Sequence, residues 1–385
     1  MKNAKLWTAE SVSVGHPDSY VDYVINSCLD EVLRQDPKAR FACDGLAKNE
    51  MITLGGEVTT TADVNYGEVV SNATKEVGYE WEPVFTNQIF TQSADIALGT
   101  SEDMGENIGA GDQGTIAGYA CNETEDFYPL AKALADEVLR ELFAKFKSGE
   151  FKWAKADMKS QITVDYTGEK PSVAKVVIAC SHADDYVEDE FKAYIKKVCA
   201  DTFTRYNVNH LDADYIINGT GRFTIYGPIG DSGECGRKIV VDAYGIHPVA
   251  TVGGGTFNGK DGSKVDKSAA YYTRYVAKNI VAAGLADECR IDVAYCIGIA
   301  EPMSVVYNFN GTEHYPAERI EEIVNSVVSF RPATMKNFLN GFTDFATAGF
   351  ISHFGKAVKK NPMNGKDVVI PWEQLDLVDK FKSLI

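Results

Sequence analysis

From Gly254 the chain reads Gly254-Gly255-Thr256-Phe257-Asn258-Gly259-Lys260-Asp261. This has the glycine spacing and lysine of a phosphate loop, but Asp261 stands where such a loop carries the Ser or Thr that holds Mg²⁺. Bare backbone N–H groups and one ammonium still suit a polyanion, because both can surround phosphate oxygens. The metal ligand must then come from elsewhere. Ser263-Lys264-Val265-Asp266-Lys267-Ser268 follows, adding two lysines and a carboxylate within a turn or two. Lys260, Lys264 and Lys267 beside a glycine-rich turn read as a seat for a highly charged phosphate chain.

Composition sharpens that reading. Across 385 residues the formal net charge is −17, so the surface repels nucleic acid and anionic membrane, and clustered cations stand out against it. The chain is 45% hydrophobic, enough for one large core or several small ones. The polar start, Met1 to Glu10, does not resemble a signal peptide, and no apolar run reaches the roughly 18 residues of a membrane span. Eight scattered cysteines without a C-x-x-C pair read as reduced thiols of a cytoplasmic protein. Six scattered histidines argue against a His-rich zinc site.

Three further segments carry candidate chemistry. Gly109-Ala110-Gly111-Asp112-Gln113-Gly114 fits G-x-G-x-x-G, but a dinucleotide fingerprint needs a buried strand before it. Ser101 to Asn107 is polar instead, so the segment reads as a loop with a functional carboxylate, Asp112. In Glu10 to Asp18, Pro17 restricts its neighbours and holds His16 and Asp18 in fixed relation. Imidazole can donate to a phosphate oxygen and a carboxylate suits Mg²⁺, although a turn with Asp18 capping the next helix explains the same residues. Gly227 to Gly233 is turn-rich, and Arg237-Lys238 precedes an apolar stretch, Ile239 to Val241, with strand character. One charge of that pair faces inward and needs a partner, unless both sit at a strand edge.

The elements that must position these groups alternate along the chain. Apolar spacing predicts helices over Ser19–Leu33, ending at Asp36-Pro37, over Asn65–Val77, Tyr128–Phe146 and Asp189–Thr202. A helix over Ser268–Ala283 follows a Ser263-x-x-Asp266 capping pattern and stops at Gly284. Extended segments are predicted at Phe41–Ala42, Met51–Thr60, Val173–Cys180 and Ile291–Ala300. This reads as an α+β protein in three similar-sized units, 1–101, 109–229 and 230–385. Their comparable element order hints at a divergent internal repeat.

Taken together and in order, Glu10 to Asp18, Gly55-Gly56-Glu57, Gly109 to Gly114, Gly227 to Asp231, Arg237-Lys238 and Gly253 to Tyr271 resemble the S-adenosylmethionine synthetases. The likeness runs over nearly the whole chain, is closest from Gly259 to Ala286 and on to Ala300-Glu301-Pro302, and includes His353-Phe354-Gly355 and Pro371-Trp372-Glu373. It implies three similar α+β domains about a pseudo-threefold axis and a methionine adenosyltransferase. In that reaction sulfur of L-methionine attacks the ribose 5′ carbon of ATP, and the displaced triphosphate is hydrolysed to pyrophosphate and phosphate. Sulfur is itself the nucleophile, so the demand on the protein is to neutralise the leaving polyphosphate.

The resemblance implies catalytic roles for His16, Lys159, Arg237, Lys238, Lys260 and Lys264. It implies ATP contacts from Asp157, Arg222, Phe223, Asp231 and Thr256 as well, the ring of Phe223 stacking on adenine. Methionine falls to Glu57, Leu98, Asp112, Asp231 and Lys264. Two Mg²⁺ per site fall to Asp18 and Asp266, and K⁺ to Asp44. Active sites shared between chains imply a homodimer, paired further into a homotetramer.

Departures from the family pattern are Val14 for Glu, Ser19 for Lys, Asp44 for Glu, Leu98 for Gln, Gly219 for Pro and Glu234-Cys235 for Leu-Thr. They bear on methionine recognition, K⁺ dependence and loop gating. They also leave open a paralogue that uses another thioether, and a non-catalytic nucleotide-binding regulatory partner. Leu98 cannot replace a hydrogen bond to methionine's charged ends. Such a bond is worth roughly 1.5–3 kcal/mol, about ten- to hundredfold in affinity. Leu98→Gln is therefore expected to lower KM for methionine and leave KM for ATP nearly unchanged in steady-state kinetics.

Overall fold

Pro17 presets the first helical turn, and Tyr20, Val21, Val24, Cys28 and Val32 then recur at helical spacing, all buried. The resulting helix α1 (Pro17–Gln35) packs on a sheet, and the same grammar repeats twice more. The computed structural model describes residues 6–91, 105, 107–361 and 364–385. The first repeat comprises β1 (Leu6–Val12), α1, β2 (Arg40–Lys48), β3 (Met51–Thr59), α2 (Tyr66–Val77) and β4 (Val84–Phe90). The second comprises β5 (Gly114–Cys121), α3 (Leu130–Lys147), β6 (Ala154–Asp165), β7 (Ser172–His182), α4 (Glu188–Arg205) and β8 (Asp214–Ile217).

The third repeat opens with two single turns around a short strand: α5 (Gly227–Gly230), β9 (Gly233–Glu234) and α6 (Ile239–Asp242). It continues through α7 (Val265–Ala282), β10 (Glu288–Tyr295), β11 (Ser304–Asn308) and α8 (Ala317–Asn325). The chain ends in α9 (Pro332–Phe338), α10 (Phe345–Gly349), a small hairpin of β12 (Val358–Lys360) and β13 (Asp367–Val369), a 3₁₀ turn at Pro371–Glu373, and α11 (Val378–Lys382).

None of the three larger sheets stays within one repeat. The orders are β1-β6-β7-β8, β5-β10-β11 and β9-β2-β3-β4. Each repeat thus lends its first strand, antiparallel, to the hairpin of the next, and the third lends to the first. The final strands β4 and β8 return parallel, as a helical crossover requires. A cyclic exchange of this kind gives the three α+β domains their pseudo-threefold relation. It also makes each domain's hydrogen bonding depend on a neighbour.

Three local expectations change. Ile239–Asp242 is a helical turn rather than a strand, closed by Asp242 N–H to the Lys238 carbonyl at 2.7 Å. The α7 N-cap is Lys264, without a side-chain cap bond; the capping-box reading fails because Asp266 pairs with Lys260 instead. Extended structure after β10 stops at Tyr295, and Ile297 makes only an isolated bridge to Ala110.

The C-terminal segment is fastened to the middle of the fold by charge. Arg274 of α7 is fully buried and donates from Nε and Nη2 to the two oxygens of Glu373 at 3.0 and 2.9 Å. Its Nη1 reaches the carbonyls of Tyr119 and Phe127, at 2.9 and 2.7 Å. Lys278 Nζ adds a bond to Glu373 at 2.7 Å. Burial alone would push the Glu373 carboxyl up, but Arg274 and Lys278 hold it down at about 2. The stability this contributes is therefore present above the ordinary carboxylate range and is lost as the pH falls toward about 2. Glu373→Gln keeps the shape but leaves two buried cations under-compensated. We expect it to cost about 3–5 kcal/mol of unfolding free energy, measured by chemical denaturation at neutral pH.

Candidate active site

Two clusters of the predicted residues form, linked through the strand and loop around Gly236. The first surrounds the N-terminus of α1. Val12 of β1 lies opposite Lys159 of β6, and Ser13 laces the turn to β6 by accepting from Met158 N–H at 2.9 Å and donating to the Ala156 carbonyl at 2.7 Å. His16 follows as the N-cap, its Nδ1 accepting from Asp18 N–H at 3.2 Å. Asp18 thus donates its backbone N–H to the cap and is not itself the cap. Burial, then the Lys238 ammonium, pull the imidazole down to about 4, so near neutral pH it carries no charge. With Nδ1 accepting, the single ring proton sits on Nε2 as a donor.

Asp18 takes its partners from the third repeat. Its Oδ1 accepts from Glu234 N–H at 3.0 Å, its Oδ2 from Lys238 Nζ at 2.6 Å, and Arg237 Nη1 lies 3.7 Å from Oδ1. Strand β9 can come this close only because residue 233 is glycine: a Cβ there would lie 2.1 Å from the Pro17 carbonyl oxygen. Lys238 is the inward member of the Arg237-Lys238 pair, and Arg237 is half exposed.

Lys159 stands between two adjoining hollows. One, of about 450 Å³, is lined by His16, Asp157, Lys159, Phe223, Tyr226 and Asp231. The other, of about 740 Å³, is lined by Lys159, Gln161, Arg237, Lys238 and Glu10, with Trp7 and Ile246 at its apolar side. Asp157 Oδ2 accepts from Gly227 N–H at 2.9 Å, while its buried Oδ1 has no partner among the described residues. Burial pushes this carboxyl up to about 7. Arg222 turns to the surface and pairs with Asp184 at 2.5 Å.

The second cluster gathers along β2 in the β9-β2-β3-β4 sheet. Residues 259–261 run beside β2, with Cys43 N–H to the Gly259 carbonyl at 2.9 Å and Asp261 N–H to the Phe41 carbonyl at 3.0 Å. The Asp261 carboxylate, odd for a phosphate loop, is a structural group here. It accepts from Phe41 N–H and Ser263 N–H, both at 2.8 Å. Lys260 is left to pair with Asp266 at 2.6 Å. Ala42 bridges to Lys260 on one side and pairs with Glu57 on the other, so Glu57 and the exposed Asp44 share this neighbourhood.

Thr256 packs against Gly236 and joins the clusters. Among the described residues, no hydrogen bond or ion pair ties Glu57, Asp112 or Lys264 to the first cluster. Asp112 is exposed and accepts from its neighbour Gln113 N–H at 2.8 Å. Leu98 lies outside the described residues.

Sequence reasoning missed His182. Its buried Nε2 accepts from Phe223 N–H at 3.0 Å, and its own N–H donates to the Phe223 carbonyl, also at 3.0 Å. It thereby clamps the segment that carries the Phe223 ring. Nothing in its position at the end of an apolar strand marks that role. Gly255 is the second tight contact, since a Cβ there would lie 2.2 Å from the Asp266 carboxyl carbon. Gly255→Ala must displace Asp266 and with it Lys260. A shift of about 1 Å at a site can cost on the order of 100-fold in rate. We expect a loss of that order in kcat, with circular dichroism unchanged.

Three family models match the chain in succession: S-adenosylmethionine synthetase N-terminal domain over residues 4–98, central domain over 107–223 and C-terminal domain over 225–372. An S-adenosylmethionine synthase of Mesoplasma florum is 42% identical over 390 residues, covering 98% of this chain and 100% of that protein. One from Fusobacterium nucleatum is 39% identical over 397 residues, with 100% of both chains covered. The solved structure of an unusual S-adenosylmethionine synthetase from Campylobacter jejuni superposes with a TM-score of 0.87 at 27% identity, covering 99% of this chain and 100% of that one. With all three domain models in order and relatives aligned end to end, the chain belongs to the S-adenosylmethionine synthetase family.

Proposed function

We propose that this methionine adenosyltransferase family member joins ATP to L-methionine, with sulfur attacking the ribose 5′ carbon and the displaced triphosphate cut to pyrophosphate and phosphate. One observation carries the reading. Lys159, Arg237 and Lys238 converge on adjoining hollows beside a neutral His16, in a chain whose net charge is −17. Preorganised cations at a departing polyphosphate stabilise the charge that grows as the C–O bond breaks. His16 Nε2–H donates to that oxygen without adding a charge that must be desolvated. Phe223 offers the adenine a face, and the unpartnered Asp157 Oδ1 is an acceptor for a nucleotide donor.

Asp18 and Asp266 would hold Mg²⁺. Each is now paired with a lysine, and no group of three or more His, Cys, Asp or Glu among the described residues could hold a metal alone. This is the donor set of a site completed by substrate phosphates. When bound, the ions neutralise polyphosphate charge. Asp44, exposed on β2, would hold K⁺.

The separation of the two clusters supports a homodimer with shared sites, and from it a homotetramer. In this arrangement Glu57, Asp112, Lys264 and Asp266 serve the partner's nucleotide pocket. Exposed Ile225 (70%) and Ile246 (81%) beside the two hollows are apolar surface that a second copy would cover. No helix among the described residues is long and apolar enough to cross a membrane, and we place the reaction in the cytoplasm.

Purified protein with ATP, L-methionine and Mg²⁺ is expected to yield S-adenosylmethionine, pyrophosphate and phosphate, read by chromatography. ADP with unaltered methionine would refute the assignment. Nucleotide binding without turnover would favour the regulatory reading, and turnover only with other S-alkyl homocysteines the paralogue. In the active protein, Lys260→Ala should lower kcat about 100-fold, the worth of one preorganised electrostatic contact.

A further inference from the structure

One buried phenol stands between the end of α2 and the hollow around His16 and Lys159. α2 closes at Gly78, and Tyr79 N–H reaches back to the Thr74 carbonyl at 3.2 Å, the wrap that ends many helices. Tyr79 is buried and lines neither hollow. Its hydroxyl donates to the Gly15 carbonyl at 2.5 Å, one residue before the His16 cap. The same oxygen lies against Gly227, where a Cβ would come within 2.1 Å of it. Gly227 N–H is in turn the donor to Asp157 Oδ2.

The ring is held as firmly as the hydroxyl. It lies nearly parallel to Tyr226, with centroids 6.2 Å apart at 21°, and to Trp81, at 5.2 Å and 26°. Tyr20 of α1 meets it edge-on at 5.3 Å, and the Tyr20 hydroxyl is tied to Thr74 Oγ1 of α2 at 2.8 Å. His16 and Tyr226 are far apart in sequence, yet both line the hollow of about 450 Å³. Tyr79 touches the backbone beside the first and the ring of the second. A phenol suits this task, being a rigid apolar plate with one polar tip. Burial holds it well above its ordinary range, so the hydroxyl stays protonated as a donor.

We propose that Tyr79 is a positioning residue for the nucleotide pocket, its hydroxyl setting the turn that carries His16 and its ring setting Tyr226 and the Gly227 N–H that holds Asp157. The proposal rests on the reading of this hollow as the seat of ATP. Tyr79 acts through those residues and touches neither substrate.

The test compares full-length wild type with Tyr79→Phe and Tyr79→Leu, by steady-state kinetics and by amide hydrogen exchange without substrate. Tyr79→Phe keeps the ring and takes one donor from a carbonyl, so kcat should fall about tenfold while both KM values hold. Tyr79→Leu also frees Tyr226, so KM for ATP should rise severalfold while KM for methionine holds, a split that mere loss of folded protein does not produce. Exchange needs no turnover and therefore separates failure of this proposal from failure of the proposed reaction. Its reporters are the His16 and Asp231 amides, bonded to the Ser13 and Gly227 carbonyls, each at 3.0 Å. Tyr79→Phe should quicken exchange at His16 alone, and Tyr79→Leu at both, with protection elsewhere unchanged. Wild-type exchange at His16 in Tyr79→Phe would overturn the proposal whether or not the protein makes S-adenosylmethionine. So would an undiminished kcat in Tyr79→Phe of an active enzyme, or a methionine KM that rises with that for ATP in Tyr79→Leu. Should Tyr79→Leu fail to fold, kcat and His16 exchange in Tyr79→Phe decide.

Discussion

Asp18 closes the ring of three domains. Two of the strand exchanges are long, with β1 pairing seven residues with β6 and β5 pairing eight with β10. The third is only two residues long, Leu46 with Glu234 and Ala47 with Gly233. What such a short ladder lacks, the Asp18 carboxylate supplies: it takes the Glu234 N–H and draws in Lys238 and Arg237. One buried carboxylate therefore holds both the domain closure and two cations of the candidate pocket, Arg237 and Lys238. Charge that organises the fold and charge that would meet a polyphosphate are the same charge.

This arrangement reconciles concentrated cations with an acidic protein. Two of the lysines are held against carboxylates, Lys238 by Asp18 and Lys260 by Asp266. A paired ammonium in a partly buried site is fixed in place before any ligand arrives, so no reorganisation is required at the moment of reaction. The hydrogen-bonded carboxylate of Asp261 and the clamp of His182 on Phe223 extend the same principle to the loop and the ring.

Much of this was legible in the residues. Helical spacing and β-branched runs placed the long elements, because burial of one face dominates them. Ordered motifs led to the family and to His16, Asp18, Lys159, Arg237 and Lys238 as neighbours. The rest depended on contacts between residues far apart in the chain. Ile239 to Val241 has strand composition yet turns as a helix, since Lys238 must face Asp18 across 220 residues. Ser263-x-x-Asp266 looks like a capping box, but the nearby ammonium of Lys260 competes for the carboxylate and wins. The strand exchange itself has no local signature, because a donated strand has the same composition as one kept.

The exchange also orders the birth of the molecule. β1 is synthesised well before its partner β6, which lies at Ala154 to Asp165, and β2 waits for β9 at Gly233. β5 likewise waits for β10, which starts at Glu288. None of the three domains can complete its sheet from its own stretch of chain, so the usual domain-by-domain route during synthesis is closed. Contacts of such sequence separation make for slow folding, with unpaired edges held open until the last third has left the ribosome. A nascent chain of this design has reason to need chaperones that its finished form does not.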